Sequence, residues 1–390
     1  MAGILKVDRI QEANSGQGVE LSHKLVDTSG NTIISENNGV ATFGSSVAPS
    51  TNYTFRNKII NGDMRIDQRN SGSAISSHST FVVDRINCAL QGGTASGITV
   101  QQSSDVPSNS EFKNSIVYTT STGGSVGSSG TYGVQQRIEG YNFSDFMYGT
   151  DYAKRFTLSF WVKSSVTGNY GIGLRNSAKD RSYIATYSIS TANTWEYKTI
   201  TVSGDTNTSA TWLSDNGTGL DIFFSLGVGT NHSTTSNSWQ TGNLFGLTGG
   251  ASPVETSGST WYITGVQLEE GTVATPFEHR PYGTELALCQ RYFCKTGQNI
   301  FSGRGNSTSA VFGITTPVSM RSVPTIITNG NIVVYDHDSH ESSSTDTVTA
   351  SGSTTPDGFG FRCIVSGVTA PNNRVHAIES EDTMTFSAEL

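Results

Sequence analysis

Short runs in which apolar and polar residues alternate constrain this chain more than any other feature of its sequence. The run from Leu220 to Leu226 has an apolar residue at every second position, and so does the run from Leu158 to Val162. A period of two gives a β-strand one apolar face. Further candidate strands are Ser115 to Thr119, Trp195 to Val202 and Trp261 to Leu268. Polar loops without helical patterns separate these runs, so we predict an all-β chain built around an antiparallel sandwich of the jelly-roll kind.

The composition fits many short strands joined by turns. Charged residues make up only 14% of the chain, and its 43 glycines exceed the usual share. Glycine and asparagine supply the positive φ angles of turns, while threonine suits the pleated surface of a sheet. Hydrophobic residues make up 34%, which is lean for 390 residues. We therefore expect thin domains, or additional surface buried between copies of the chain.

Charge and apolar content exclude several classes of partner. A net charge of −8 argues against nucleic acid and against anionic membranes. No apolar run approaches the length that crosses a bilayer, and the start of the chain lacks the apolar core of a signal peptide. The four cysteines form no CxxC pair. We expect free thiols, no cofactor, no membrane insertion and synthesis in the cytoplasm.

The sequence predicts four successive parts. They are an N-terminal segment (1–50), the sandwich (55–280), a short connecting helix (281–294) and a C-terminal β domain (295–390). The first part is too small and polar for its own core, and it contains a predicted hairpin around Thr28 to Gly30. The helix is predicted because Leu286, Cys289 and Phe293 recur at helical spacing. The last predicted strand alternates from Met384 to the final residue.

Two groups of potential ligands bear on catalysis and metal binding. Hydrolysis of a polysaccharide requires two carboxylates on facing strands, whereas Glu269 and Glu270 are adjacent and point to opposite faces of a strand. Asp336, Asp338 and His340 would share one face of an extended segment, close enough for a divalent ion. A polar run follows at once, so we favour a solvated hairpin tip. We predict no catalytic residues and no metal site.

Tryptophan is the residue type that can stack on sugar rings. Trp239, in SNSWQTGN, lies in the least strand-like surroundings and is the best candidate for exposure. The alternative is that Trp239 folds back and caps the sandwich, because tryptophan gains much by burial. Trp161 and Trp261 lie within strand patterns, and we expect them to pack in the core or on the second face of a sheet.

Six longer motifs together resemble one family. They are NGDMRIDQR (61–69), QRIEG (136–140), TLSFWVKSS (157–165), WEYKTITVSGDT (195–206), GLDIFFSLG (219–227) and ITGVQLEEGTVATPFEHRPYGTELALCQRYF (263–293). In this order they resemble bacteriophage tail-fibre and related virion proteins with a jelly-roll, carbohydrate-binding-module-like core. The ending MTFSAEL and the opening LKVDRIQ also resemble segments of phage structural proteins.

The resemblance implies a structural subunit of a phage virion with an anchor, a sandwich and a distal β domain, assembled as a homotrimer. We expect a tail fibre or receptor-binding protein for host attachment. A head fibre or capsid-decorating appendage is the alternative, and a polysaccharide depolymerase spike is a third class. Members of the family differ in their position on the particle, so the fold alone does not decide among these roles.

These roles assign candidate contacts to three sets of residues. The sets are Leu5, Val7 and Ile10 for anchoring to a tail or capsid protein, Trp239, Tyr335, Asp336 and Asp338 for a host-surface glycan or protein, and Leu286 and Phe293 for contacts within the trimer. An exposed apolar strand suits strand addition to a partner. A short helix needs support, which neighbouring subunits around a threefold axis would supply.

Overall fold

The structure is a computed structural model, and it describes residues 55–235, 237–297, 309–328 and 383–390. Elsewhere it describes separate strands, at 25–26, 32–37, 40–43, 299–306, 332–335, 340–343, 348–350, 360–366 and 375–380. The chain divides into two compact units, Met1–Phe55 and Arg56–Leu390.

The described strands of the first unit form a three-stranded antiparallel sheet. They are β1 (Leu25–Val26), β2 (Thr32–Asn37) and β3 (Val40–Phe43), with β2 in the middle. The pairing of β1 with β2 confirms the predicted hairpin around Thr28 to Gly30. Leu5, Val7 and Ile10 lie outside the described residues, so their anchoring role stays a prediction.

The first part of the second unit is built from strands and very short helices. The strands are β4 (Thr80–Val83), β5 (Ile86–Gly93), β6 (Ser96–Ser103), β7 (Ser115–Thr122), β8 (Val126–Glu139), β9 (Phe156–Ser164), β10 (Gly168–Arg175), β11 (Arg181–Ile189), β12 (Glu196–Val202), β13 (Thr218–Val228), β14 (Ser233–Thr234), β15 (Trp239–Thr241), β16 (Gly246–Leu247) and β17 (Ser259–Glu270). The helices are α1 (Gly140–Phe143) and single 3₁₀ turns at Ser144–Phe146, Thr230–His232 and Pro253–Glu255.

Two antiparallel sheets pack against each other to form the sandwich. One has seven strands in the order β15-β11-β10-β13-β8-β5-β4, and the other has five in the order β12-β9-β17-β7-β6. The alternating residues of β9 and β13 meet between the sheets, where the rings of Phe160 and Phe224 lie 5.3 Å apart. Both rings belong to the largest buried cluster. The predicted all-β class and antiparallel sandwich are confirmed.

A helix and two further sheets follow the sandwich. The remaining elements are α2 (Tyr282–Gln290), β18 (Phe293–Thr296), β19 (Asn299–Asn306), β20 (Ser309–Thr315), β21 (Thr325–Thr328), β22 (Ile332–Tyr335), β23 (His340–Ser343), β24 (Val348–Ala350), β25 (Gly360–Ser366), β26 (Val375–Ser380) and β27 (Met384–Ser387). The strands form a three-stranded sheet in the order β18-β27-β21 and a seven-stranded sheet in the order β23-β22-β26-β19-β20-β25-β24.

The connecting helix is shorter than its sequence pattern predicts. It ends at Gln290, and Phe293 instead begins β18, where it pairs with Ser387 of β27. The guanidinium of Arg69 lies 3.5 Å from the centre of the Phe293 ring. Strand pairing and this packing override the local helical spacing, so Cys289 and Phe293 do not share one helix face.

The motifs at 61–69 and 263–293 build the joint between the sandwich and α2. The side chain of Asn61 accepts a hydrogen bond from the backbone of Ile66 at 2.9 Å and donates to the carbonyl of Asp84 at 2.9 Å. Arg65 donates to the carbonyl of Arg280 at 2.6 Å. Because each contact joins a side chain to a backbone group of another residue, these polar residues fix the course of the chain rather than form a ligand site.

Arginines hold the C-terminal residues. The final strand ends at Ser387, three residues earlier than predicted. Glu389 forms ion pairs with Arg69, at 2.5 Å, and with Arg85. Arg321 donates to the carbonyls of Ala388 and Glu389 at 2.7 and 2.8 Å. Charge-assisted hydrogen bonds therefore replace the strand ladder at the end of the chain.

Candidate functional site

The outer face of the five-stranded sheet carries a set of aromatic side chains. Since Phe160 and Val162 of β9 are buried in the core, Trp161 between them points outward. Tyr197 of β12 lies directly opposite Trp161 in the register of the two strands. The two ring centroids are 5.3 Å apart, and Tyr197 is 44% exposed. This pair forms an aromatic surface that remains accessible to solvent.

A second aromatic pair lies beside the first on the same face. The rings of Trp195 and Tyr262 are 6.0 Å apart. The ammonium of Lys163 lies 4.2 Å from the centre of the Tyr262 ring and 5.3 Å from that of Trp195. Cation–π attraction therefore holds the lysine between the two rings. Together with Trp161 and Tyr197 these side chains make up what we call the aromatic face.

Asp105 fixes this second pair. The indole nitrogen of Trp195 donates to its carboxylate at 3.0 Å, and Lys163 pairs with the other carboxylate oxygen. Partial burial raises the pKa of Asp105, but the hydrogen bonds from Lys163 and Trp195 outweigh this and lower it overall. The carboxylate of Asp105 thus neutralises the charge of Lys163 within the site. The aromatic face therefore presents rings to solvent instead of a net charge, and hydroxyl groups such as that of the exposed Thr199 lie beside them.

Another part of the same sheet face is covered. The buried carboxylate of Glu269 accepts hydrogen bonds from the backbone and hydroxyl groups of Thr275, at 2.8 and 2.6 Å. Its neighbour Glu270 is exposed and pairs with Lys154 at 3.0 Å. The two carboxylates have separate partners, and Glu269 holds Thr275 of the segment that follows β17. They do not form a facing pair of the kind that glycoside hydrolysis uses.

Trp239 has a packing position. It lies in β15, and its indole nitrogen donates to the carbonyl of Ser203 at 2.7 Å. Its ring lies 5.4 Å from Trp212 and 5.6 Å from Tyr148, within an aromatic cluster that joins the core. The indole is only partly exposed. This geometry matches the capping arrangement, while Trp261 lies in the core, fully buried.

The other sequence-predicted contacts are dispersed. Tyr335 ends β22, and Asp336 and Asp338 lie outside the described residues. Leu286 packs within its own chain, against a cluster of buried residues that includes Cys289 and Tyr292. Among the residues that the structure describes, no group of three or more His, Cys, Asp or Glu side chains could hold a metal ion. In the same part of the chain, the helices are all too short or too polar to cross a membrane.

Sequence reasoning missed Tyr197, Trp195 and Tyr262. The alternation of β9 already indicates that Trp161 points away from the core, as the expectation of second-face packing allowed. The pairing of Trp161 with Tyr197 depends on the register of β9 and β12, which local patterns do not give.

No family model matches the chain, and no curated protein matches it. Solved structures match at low identity. The enzymatically active domain of tailspike protein 4 from bacteriophage CBA120 is 15% identical, with a TM-score of 0.28, over 55% of this chain and 21% of that one. A structure described as a CBM4 module is 13% identical, with a TM-score of 0.28, over 54% of this chain and 97% of that one.

A third match is longer. The tandem CBM22-1–CBM22-2 domain of Paenibacillus barcinonensis Xyn10C is 11% identical, with a TM-score of 0.24, over 83% of this chain and 99% of that one. The chain thus spans about a fifth of the tailspike domain and nearly all of the two carbohydrate-binding structures. At these TM-scores the likeness carries no argument about function.

Proposed function

We propose that this chain is a carbohydrate-binding subunit of a phage virion appendage, and that the aromatic face contacts the glycan. The observation that carries the binding role is the pair of the partly exposed Trp161 and the exposed Tyr197, which lies beside Trp195 and Tyr262 on the outer face of the sheet. A sugar ring has a face of C–H groups that packs on an aromatic ring, and its hydroxyl groups reach polar atoms nearby. Since Lys163 is neutralised by Asp105, the aromatic face favours an uncharged glycan over an anionic one.

Binding to a glycan array of neutral and acidic oligosaccharides tests the role, followed by calorimetry with the best ligand. Tyr197→Ala should weaken binding about tenfold, because covering ~50 Å² of apolar ring surface contributes on the order of 1.3 kcal/mol. Tyr152→Ala is the matched control, since Tyr152 is 76% exposed but lies in the loop before β9. Equal affinities for the two variants, or binding confined to acidic glycans, would contradict the assignment.

Our proposal for the position of this chain on the virion rests on the sequence resemblance alone. A tail fibre or receptor-binding protein is our first proposal, with residues 1–50 bound to the particle through Leu5, Val7 and Ile10. A head fibre or capsid-decorating appendage is the second. Labelling the chain in purified particles and locating the label by electron microscopy distinguishes the two. A chain lacking residues 1–50 should remain folded but no longer copurify with particles.

We also propose that the chain assembles as a homotrimer and catalyses no reaction. Native mass spectrometry at micromolar concentration should give three times the chain mass, and a stable monomer would refute the trimer. Leu286→Asp is a poor probe of assembly, because Leu286 packs against Cys289 and Tyr292 of its own chain. Release of reducing sugar from host polysaccharide would refute the non-catalytic assignment and favour a depolymerase.

A further inference from the structure

The outer face of the other sheet contains a pocket that is separate from the aromatic face. Its volume is about 340 Å³, within the range of ~300–1,000 Å³ that is typical of small-molecule sites. It lies where β13 ends and β8 begins, and residues 247–252 form its far wall. Nothing in the aromatic face contributes to its lining.

Glycines shape the pocket. At Gly171 of β10 a Cβ atom would lie 2.8 Å from the backbone nitrogen of Leu247, so only glycine lets residues 246–248 lie directly on the sheet. At Gly229 a Cβ atom would lie 2.1 Å from the carbonyl oxygen of Gly127. Close backbone contacts that only glycine permits therefore lie on two sides of the pocket.

Backbone hydrogen bonds hold the walls in place. Ala251 donates to the carbonyl of Asn169 at 2.7 Å, and Thr248 donates to that of Thr234 at 3.0 Å. Gly229 donates to the carbonyl of Gly130 at 3.0 Å. Because each wall is tied to a neighbouring segment, the pocket exists before any ligand binds, and binding requires little ordering of the chain.

The lining is rich in hydroxyl groups and has no cation. Its hydroxyl side chains are Ser128, Ser225, Thr230, Ser233, Thr248 and Ser252. Ser225 is 94% buried on the outer side of β13, since its neighbours Phe224 and Leu226 belong to the core. Glu255, an exposed residue, is the one charged residue of the lining. No Lys, Arg, His or aromatic residue lines the pocket.

We infer that this pocket binds a single uncharged sugar unit, such as a neutral hexose at the end of a glycan. Hydroxyl groups both donate and accept hydrogen bonds, so they match the alternating donors and acceptors of a sugar. Valine and leucine side chains in the lining offer an apolar surface to the C–H groups of the ring. The carboxylate of Glu255 repels anionic sugars, because no cation of the lining offsets its charge.

The inference is independent of the aromatic face, which lies on the opposite outer surface of the sandwich. An isolated hexose has few atoms to contribute, so we expect a Kd on the order of 1 mM. Saturation-transfer NMR on the full chain, with glucose, galactose, mannose and N-acetylglucosamine as neutral probes and glucuronate as the anionic one, measures binding in this range.

Two variants and one control decide the outcome. Ser225→Leu fills the floor of the pocket and should abolish the signal of the neutral sugar that binds. Glu255→Gln, at an exposed position, should leave folding unchanged and raise the signal of glucuronate at least threefold. Tyr152→Ala, at an exposed position that belongs to neither the pocket nor the aromatic face, should leave both signals unchanged.

Absence of signal from all four neutral sugars at ~10 mM would overturn the inference, since this exceeds the expected Kd about tenfold. So would a signal that persists in a folded Ser225→Leu chain. Loss of the monosaccharide signal in Tyr197→Ala would transfer the binding to the aromatic face and thereby refute the pocket as a site.

Discussion

Asp84 should make the stability of the second unit fall as the pH rises. This carboxyl is 1% exposed, and one of its oxygens has no hydrogen-bond partner among the described residues. The other oxygen accepts a hydrogen bond from the side-chain amide of Gln68. The Nε atom of Arg69 lies 3.8 Å from the oxygen without a hydrogen bond. Burial raises the pKa of Asp84 from 3.8 to about 6, because these contacts only partly offset the loss of water.

The direction of the effect follows from proton binding. Between pH 3.8 and about pH 6 the folded chain retains the proton of Asp84, whereas the unfolded chain has released it. The stabilisation that Asp84 provides at low pH is therefore lost as the pH rises through this window. A difference of this size in pKa corresponds to about 3 kcal/mol of unfolding free energy.

Asp84→Asn removes the titration while preserving the shape of the side chain. The unfolding free energy of this variant, relative to the unmodified chain, should increase by about 3 kcal/mol between about pH 4 and pH 8. Urea titrations followed by tryptophan fluorescence measure it, since all five tryptophans lie between residues 161 and 261. Asp151→Asn, at an exposed position, controls for the loss of one carboxylate.

Two results would refute this reasoning. The first is a pair of parallel pH profiles for Asp84→Asn and the unmodified chain, which would mean that the buried carboxyl does not titrate in this window. The second is an Asp84→Asn chain whose unfolding free energy, relative to that of the unmodified chain, is lower at pH 8 than at pH 4. That outcome would show that the ionised carboxylate gains more from Arg69 than it loses by leaving water.

Three further changes should lower the midpoint of chemical unfolding. Trp261→Ala empties a fully buried site and removes the indole hydrogen bond to Tyr187, so we expect a loss of about 3–5 kcal/mol. Glu389→Gln removes the charge that pairs two arginines and should cost about 3 kcal/mol, with a C-terminus that becomes accessible to carboxypeptidase. Asp205→Asn breaks the bidentate ion pair with Arg181, whose hydrogen bonds are 2.6 and 3.0 Å long, and should lower the unfolding free energy by about 3 kcal/mol. A loss below ~0.5 kcal/mol would show that solvent screens the pair.

The strands could be predicted from sequence because their signal is local. In β9 and β13 the apolar residues alternate, and burial of one face suffices to explain the pattern. The order of the strands could not be predicted in this way. For example, β17 lies between β9 and β7, although 94 residues separate it from β9 and 136 from β7. The same limit explains Phe293, whose helical spacing is local but whose strand partner, Ser387, is distant.

In the candidate site, too, local features could be predicted from the sequence, whereas contacts between distant residues could not. The outward direction of Trp161 is a local property and could be derived from its neighbours. Its contact with Tyr197 is a matter of register and could not. Trp239 was the best sequence candidate for an exposed tryptophan because its surroundings in the sequence are polar and loop-like. In the structure, the rings of Tyr148 and Trp212, which are distant in sequence, pack against it. A polar neighbourhood in sequence is therefore weak evidence that a tryptophan is exposed, since distant rings supply the apolar contacts that burial requires.

The motifs that carry the family resemblance contain both kinds of information. In TLSFWVKSS the inward positions, such as Phe160, build the core, while the outward positions, Trp161 and Lys163, build the aromatic face. Because the two sets alternate along one strand, outward residues can change without disturbing the core that fixes the fold. Proteins that share the inward pattern should therefore share the sandwich, and those that lack aromatic residues at the positions of Trp161 and Tyr197 should bind different ligands. Exchange of these two residues for serine tests this directly: a folded chain that still binds the same glycan would place recognition elsewhere.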